Sequence, residues 1–217
     1  MDEFILGFVN GSIQTIIGHP LDTIKVLLQQ NKLKYPIKFS KLYQGVLPPL
    51  LGNSIIVSSQ FGLNDYFYKY MNNHFYSGCL SGIISSFIVN PIELYKIRFQ
   101  NSLTNLNINP YKGLYSTFLR ESFGNSFYFG TYYYLHHNEI CNSFLAGGIS
   151  GWVAWFFSYP QDVIKTRIQS GYSKNIYEAY KYGKLWKGFG VCSIRSFIVN
   201  GVGFYCYDLM KIYYNIK

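Results

Sequence analysis

The stretch Pro20-Leu21-Asp22-Thr23-Ile24-Lys25-Val26-Leu27-Leu28-Gln29 decides the fold, because its pattern returns twice. The second copy is Pro91-Ile92-Glu93-Leu94-Tyr95-Lys96-Ile97-Arg98-Phe99-Gln100, and the third is Pro160-Gln161-Asp162-Val163-Ile164-Lys165-Thr166-Arg167-Ile168-Gln169. By chance, a proline with an acid two residues on and a base five on is expected only on the order of a few hundredths of a time in such a chain. Three copies, 71 and 69 residues apart, therefore mean an internal triplication. Glycines at two fixed offsets before each proline (Gly7 and Gly11, Gly78 and Gly82, Gly147 and Gly151) extend the repeat upstream. The three units are residues 1–73, 74–139 and 140–217, sharing one domain, 1–217.

On a helix the acid and base of each copy are i and i+3, and the base and glutamine are i and i+4, so the three groups share one face. The proline before them removes a backbone hydrogen bond and bends the helix. Three such helices around one axis bring Asp22, Glu93 and Asp162 together with Lys25, Lys96 and Lys165 at one depth. A second ring, of Gln29, Gln100 and Gln169, lies one turn beyond. The glycine pairs give each of these helices a small-residue face for close contact.

Of the 217 residues 20% are aromatic and only 13% charged, an unusual balance for a water-soluble chain. The mean hydropathy of +0.05 is modest because Tyr, Asn and Ser lower it without adding charge. Uncharged stretches at 4–21, 42–64, 70–92, 122–138 and 140–161, and 188–207 broken only by Arg195, approach or exceed the roughly 17 to 25 residues that span a bilayer. The expected fold is thus all-α, with six transmembrane helices, two per repeat, and threefold pseudosymmetry. The bases gather on the connections that follow the first helix of each repeat, so the net charge of +9 is a topology signal that places both termini on the opposite side. These bases flank apolar spans and form no separate basic domain, which argues against nucleic acid as a partner. The acidic start Met1-Asp2-Glu3-Phe4 lacks the basic leader of a signal peptide, so the first span is expected to be retained. Cys79, Cys141, Cys192 and Cys206 are scattered without metal or disulfide spacing and read as small buried residues. No nucleophile–base pair and no metal spacing point to an enzyme or to a bound metal.

Arg120 and Arg195 stand out because intramembrane arginines are costly and usually face a cavity. Each precedes the end of its helix by the same distance, 13 residues before Tyr133 and Asp208, and Gly52 holds that place before Asp65. The competing reading of Arg120 is a local pair with Glu121. Guanidinium groups suit a carboxylate or a phosphate, which both can be held bidentately.

Together the triplicated motif, the triplets Tyr43-Gln44-Gly45, Tyr111-Lys112-Gly113 and Trp186-Lys187-Gly188, and the terminal Tyr207-Asp208-Leu209-Met210-Lys211 resemble the mitochondrial carrier family over nearly the whole chain. The resemblance implies a monomeric carrier of the inner mitochondrial membrane, with both termini on the cytosolic side and a central site that opens alternately to each side. By residue, it implies a matrix gate of Asp22, Lys25, Glu93, Lys96, Asp162 and Lys165, with Gln29, Gln100 and Gln169 as braces. It implies substrate contacts at Gly52, Ile56, Gln60, Arg120, Glu121 and Arg195. Gly45, Gly113 and Gly188 match the family's cardiolipin sites, and no other bound group is implied. A cytosolic gate would use Asp65, Tyr133, Asp208 and Lys211, but only the last copy is complete, so weak closure is expected there. The matrix connections are also too short for full matrix helices.

Two substrate classes stay open. Arg120 followed by an acid looks like the family's amino-acid or carnitine subgroup, whereas tyrosines near Tyr128 and Tyr132 could stack a nucleotide or deoxynucleotide. A chain rich in Tyr, Asn, Ile and Lys suits the AT-rich genome of a parasite or a large DNA virus, in which case the mitochondrion is the host's. A non-transporting scaffold that keeps the fold is the alternative function. If Asp22 and Lys96 pair, exchanging them (Asp22→Lys with Lys96→Asp) is expected to keep more transport than either single change, in proteoliposomes; equal losses would remove that pair.

Overall fold

A computed structural model describes residues 2–29, 42–43, 45–100, 109–169, 171–186 and 188–214. The side chains at 22, 24–29, 96–100 and 191 lie outside that set, and with them the gate and brace roles expected of Asp22, Lys25, Lys96, Gln29 and Gln100. The connections at 30–41 and 101–108 lie outside it too. The described residues form helices and no strands: α1 Asp2–Gln29, α2 Leu47–Met71, α3 His74–Gln100, α4 Leu114–His137, α5 Ser143–Gln169, the short α6 Ile176–Lys181 and α7 Phe189–Tyr214. Pro20, Pro91 and Pro160 lie inside α1, α3 and α5. Pro48 and Pro49 instead open α2, where a missing N–H costs nothing. The short α6 is started by Asn175, whose side chain accepts the Glu178 N–H, while the Glu178 carboxylate accepts the Lys174 N–H.

Each long helix packs on the next, and α7 closes the ring onto α1. Within each pair the glycines set the approach. A Cβ at Gly7 or Gly11 would stand 2.9 Å from the Ser58 Cα or 2.8 Å from the Ser54 Cα of α2. At Gly78 it would stand 2.5 Å from the Asn125 carbonyl oxygen of α4, and at Gly82 it would overlap the Glu121 carbonyl. At Gly147 it would stand 2.7 Å from the Asn200 carbonyl oxygen of α7, and at Gly151 it would overlap the Asn200 side chain. Three repeats thus solve the same contact in the same way.

The usual distribution of polarity is inverted. Small polar groups such as Ser54, Ser77, Ser81, Ser85, Asn90 and Ser150 are fully buried, whereas Ile5, Leu51, Phe87, Trp152, Phe157 and Ile194 are exposed. Apolar packing gathers at one end of the ring, where Leu6, Val57, Phe61, Phe129, Phe204 and Tyr207 form the buried core. The six long helices, of 24 to 28 residues, reach about 36 to 42 Å at roughly 1.5 Å per residue, more than the ~30 Å of a hydrocarbon core. Composition is stricter than length: among the described residues only His74–Tyr95 of α3 is long and apolar enough by itself to cross a membrane. The inward serines, asparagines and glutamines dilute the other five.

Gly82→Ala is expected to push α3 off α4 and to cost about 1 to 3 kcal/mol, the usual range for overpacking. Gly190→Ala meets open space and should stay within about 0.5 kcal/mol. Thermal unfolding in detergent compares the two; equal midpoints would contradict the close α3–α4 approach.

Candidate functional site

The motif residues of repeats two and three converge inside the ring. Lys165 on α5 is only 1% exposed and pairs with Glu93 on α3. Arg120 on α4 bonds the same carboxylate, Nη2 lying 3.1 and 3.2 Å from its two oxygens. It also reaches Asp162 at 3.4 Å and pairs with its neighbour Glu121. Glu121 is 4% exposed and accepts a second bond, at 2.9 Å, from Gln60 of α2. Helical spacing explains why Asp162 and Lys165 both face this cluster: they are i and i+3 on α5. Buried charges repay their desolvation only inside a network with every group partnered, and each of these five has a partner.

The sequence separated a substrate arginine from a gate of acids and bases; the structure merges them. Arg120 makes the local pair with Glu121 and also ties α4 to both neighbouring helices. Above this floor lies a cavity of about 370 Å³, bounded on its far side by Phe61 and Tyr128. Ile56, Gln60, Arg120, Glu121 and Arg195 line it, as do Glu93 and Asp162. Arg195 comes from α7 and lies against α1, where a Cβ at Gly18 would be 3.0 Å from Nη2. Gly52 does not line the cavity. A Cβ there would stand 3.4 Å from Ile92 of α3, so Gly52 lies toward the neighbouring repeat at the edge of the face that carries Ile56 and Gln60.

Gly45, Gly113 and Gly188 all have left-handed backbones, with φ of +77°, +80° and +92°, which a side chain would strain. Gly113 caps α4, Gly188 directly precedes α7, and Gly45 stands two residues before α2. Unforeseen is the reach of the residue before each proline to the triplet of its own repeat. The His19 ring lies 6.3 Å from that of Tyr43. Asn90 donates to the Pro110 carbonyl at 2.8 Å, just before its triplet, and at 3.5 Å to the Lys112 carbonyl within it, and the Tyr159 ring stacks 6.2 Å from Trp186. His, Asn and Tyr share no chemistry, so no pattern could be read there. Gln169, fully buried, crosses between repeats by donating to the Asn90 side chain at 3.0 Å, which also accepts from Thr117 at 2.6 Å.

At the opposite end the expected motif partners are redistributed. Asp208 accepts from Tyr132 at 2.7 Å and from Ser143, and lies 3.1 Å from His136. Lys211 pairs instead with Glu3 of α1 at 2.6 Å, and Glu3 also accepts from Tyr207. Asp65 meets Lys69, one turn along its own helix, at 3.0 Å; such an exposed pair is worth at most about 1 kcal/mol. Tyr133 carries no ion pair among the described contacts. It stacks on His74 at 3.5 Å, and His74 stacks on Tyr68 at 3.8 Å. The incomplete motifs suggested poor closure here, but the aromatic core fills this end. Its partners come from α1 and from aromatic stacking, which the motif does not encode.

Three tandem helix pairs closed around an axial charged cavity are the build of a helical solute carrier. The mitochondrial carrier protein profile matches residues 136–217. Mitochondrial substrate carrier family protein L of Dictyostelium discoideum is 32% identical, over 97% of this chain and 95% of its own length. The mitochondrial arginine transporter of Arabidopsis thaliana is 27% identical over 95% of this chain and 89% of its own. The human mitochondrial basic amino acids transporter is 29% identical over 93% and 86%. The chain belongs to the mitochondrial carrier family, whose members named here are transporters and not enzymes. The first of these alignments is 271 positions long against a chain of 217 residues, so that relative carries stretches this chain lacks.

Lys165→Met should lower stability by about 1 to 3 kcal/mol, since it leaves the half-buried Glu93 with one cation fewer. Adding Glu93→Gln is expected to recover at least about 1 kcal/mol of that loss. Melting of the single and double variants in detergent checks this; strictly additive losses would uncouple the pair.

Proposed function

We propose that this chain is a carrier of the inner mitochondrial membrane that exchanges amino acids by alternating access. Six spans related by threefold pseudosymmetry would lie in the bilayer, with both termini toward the cytosol and the proline motifs toward the matrix. The inverted burial supports this: Phe, Ile, Leu and Trp side chains cover the outside of helices long enough to span, while Ser, Asn and charge lie within. Gly45, Gly113 and Gly188 at or near helix starts would receive cardiolipin phosphates, since exposed N–H groups there favour anions.

The observation that carries the substrate class is the charge balance of the cavity floor. Among the described residues Glu93, Glu121 and Asp162 stand against two cations, Arg120 and Lys165, so carboxylates outnumber cations by one there and give a solute's ammonium group acceptors to compete for. Arg195, across the cavity, supplies a partner for its carboxylate. The relatives named by substrate transport arginine or basic amino acids; nucleotides find no support among them and are not carried forward.

The same arrangement gives a mechanism. An ammonium group that takes Glu121, Glu93 or Asp162 competes with Arg120, and each bond won loosens α4 from α3 or α5. A solute bound at micromolar affinity brings about 8 kcal/mol, against a network worth a few kcal/mol net. Opening follows only if the solute binds the intermediate state better than the closed one. The aromatic end would stay packed while the charged floor opens, and would part only on the return step, once the floor has re-formed.

Proteoliposomes loaded in turn with amino acids, carboxylates and nucleotides test this. Amino-acid counter-exchange is expected, reduced by about a hundredfold or more in Arg120→Ala and Arg195→Ala. Exchange of nucleotides alone would overturn the substrate class, and no exchange of any solute would favour a non-transporting scaffold. Alkaline extraction of membranes should leave the protein in the pellet; release to the supernatant would contradict the membrane assignment.

A further inference from the structure

Above the charged floor the cavity wall changes character. Gln14 of α1, Asn125 and Tyr128 of α4 and Asn200 of α7 all line it and carry no charge. Asn200 is fixed in one orientation, since its amide nitrogen donates to the Ser196 carbonyl at 2.9 Å and to the Ser196 hydroxyl at 2.8 Å. Its oxygen then accepts from the Tyr128 hydroxyl at 3.1 Å. Gln14, only 7% exposed, is held loosely: its amide nitrogen makes two long bonds, 3.4 Å to the Tyr128 hydroxyl and 3.5 Å to the Asn200 side-chain oxygen, beyond the 2.7–3.2 Å of the best-formed N–H···O bonds. Asn125 is 6% exposed, lines the cavity, and its amide nitrogen has no partner. One unpartnered and one loosely bonded amide, both buried and from two helices, therefore border the same space. Asn10 is also unpartnered and fully buried, but it is not among the residues that line the cavity.

Position relates these amides to the floor. Asn125 follows Glu121 by one turn on the same face of α4, a separation of about 5 Å. That is the distance from the amine of an amino acid to the end of a short side chain. Above Glu121 the wall of Gln14, Asn125, Tyr128 and Asn200 presents no carboxylate, so it offers hydrogen bonds but no counter-charge to a second cation.

We propose that Gln14 and Asn125, backed by Tyr128 and Asn200, form an uncharged subsite that reads the side chain of the transported amino acid and selects one ending in a carboxamide or hydroxyl. This rests on the amino-acid reading above and narrows it. An apolar side chain leaves both amides unmet, and a basic one enters a wall without a carboxylate. A site built to hydrogen-bond a substrate group discriminates strongly against the analogue that lacks it.

The test is counter-exchange in proteoliposomes with L-glutamine, its apolar counterpart L-leucine, L-lysine and glycine. The wild type should show a KM for glutamine lower by about tenfold or more than for leucine or lysine. In the Gln14→Leu/Asn125→Leu variant the glutamine-to-leucine preference should fall to about twofold. Asn125→Asp, nearly isosteric, should shift the lysine-to-glutamine ratio toward lysine by about tenfold. A wild type that takes leucine as readily as glutamine overturns the subsite, whatever the variants do. So do equal losses for both solutes in the double variant, or an unchanged ratio in Asn125→Asp. Exchange of glycine without side-chain preference removes the subsite alone, whereas failure to exchange every amino acid, glycine included, removes the carrier reading beneath it.

Discussion

Glu93 is the constraint on which the rest of the structure depends. It accepts from Arg120 of its own repeat and from Lys165 of the next, so a single carboxylate joins α3, α4 and α5. None of the three groups is stable alone at that depth. Lys165 without Glu93 would be a buried ammonium, and Arg120 without its three carboxylates a buried guanidinium. The glycine pairs serve this cluster indirectly. By letting the two helices of a repeat touch backbone to backbone, they leave the axis free for side chains that carry charge.

The two ends of the ring are closed by different physics. At the proline motifs the contacts are ionic, few and long-sided, and each can be replaced by a group of opposite charge on a solute. At the other end they are stacked rings, Phe61 with Phe129 and Tyr207 and Tyr132 with Phe204, with Glu3 clasping Lys211 at the seam between the first and last helices. A solute has no bond to offer there. Opening that end requires whole helices to part, and this couples it to rearrangement of the floor instead of to direct competition.

Much of this was legible in the sequence because it follows from periodicity. The triplication, the helices and the shared face of Asp162 and Lys165 are consequences of spacing along one chain. Partners across the ring do not follow from spacing; the family resemblance implies acid–base pairs between neighbouring helices, and Glu93 with Lys165 is one. Spacing places Arg120 on the inner face but does not say that its long side chain reaches Glu93 and Asp162, and the resemblance names Gly52 with Ile56 and Gln60, of which the last two line the cavity. The terminal motif names Asp208 and Lys211 but not their partners, which the fold supplies as His136 and Tyr132 for one and Glu3 for the other. Asn90 was invisible because its counterparts, His19 and Tyr159, do the same work with unrelated chemistry. Hydropathy was the least faithful guide, since the polar residues that lower it are those the fold turns inward.

The central claim is that a bound amino acid releases α3 from α5 by competing for the groups around Glu93. Tyr95 and Thr166 lie on exposed faces of these helices near the cluster, so spin labels on Tyr95→Cys and Thr166→Cys, in a background without the four native cysteines, report their separation. Pulsed electron resonance should give one narrow distance without solute and a second, longer component with a saturating exchanged amino acid. A distribution that stays unchanged while the same labelled protein exchanges that amino acid would contradict the account.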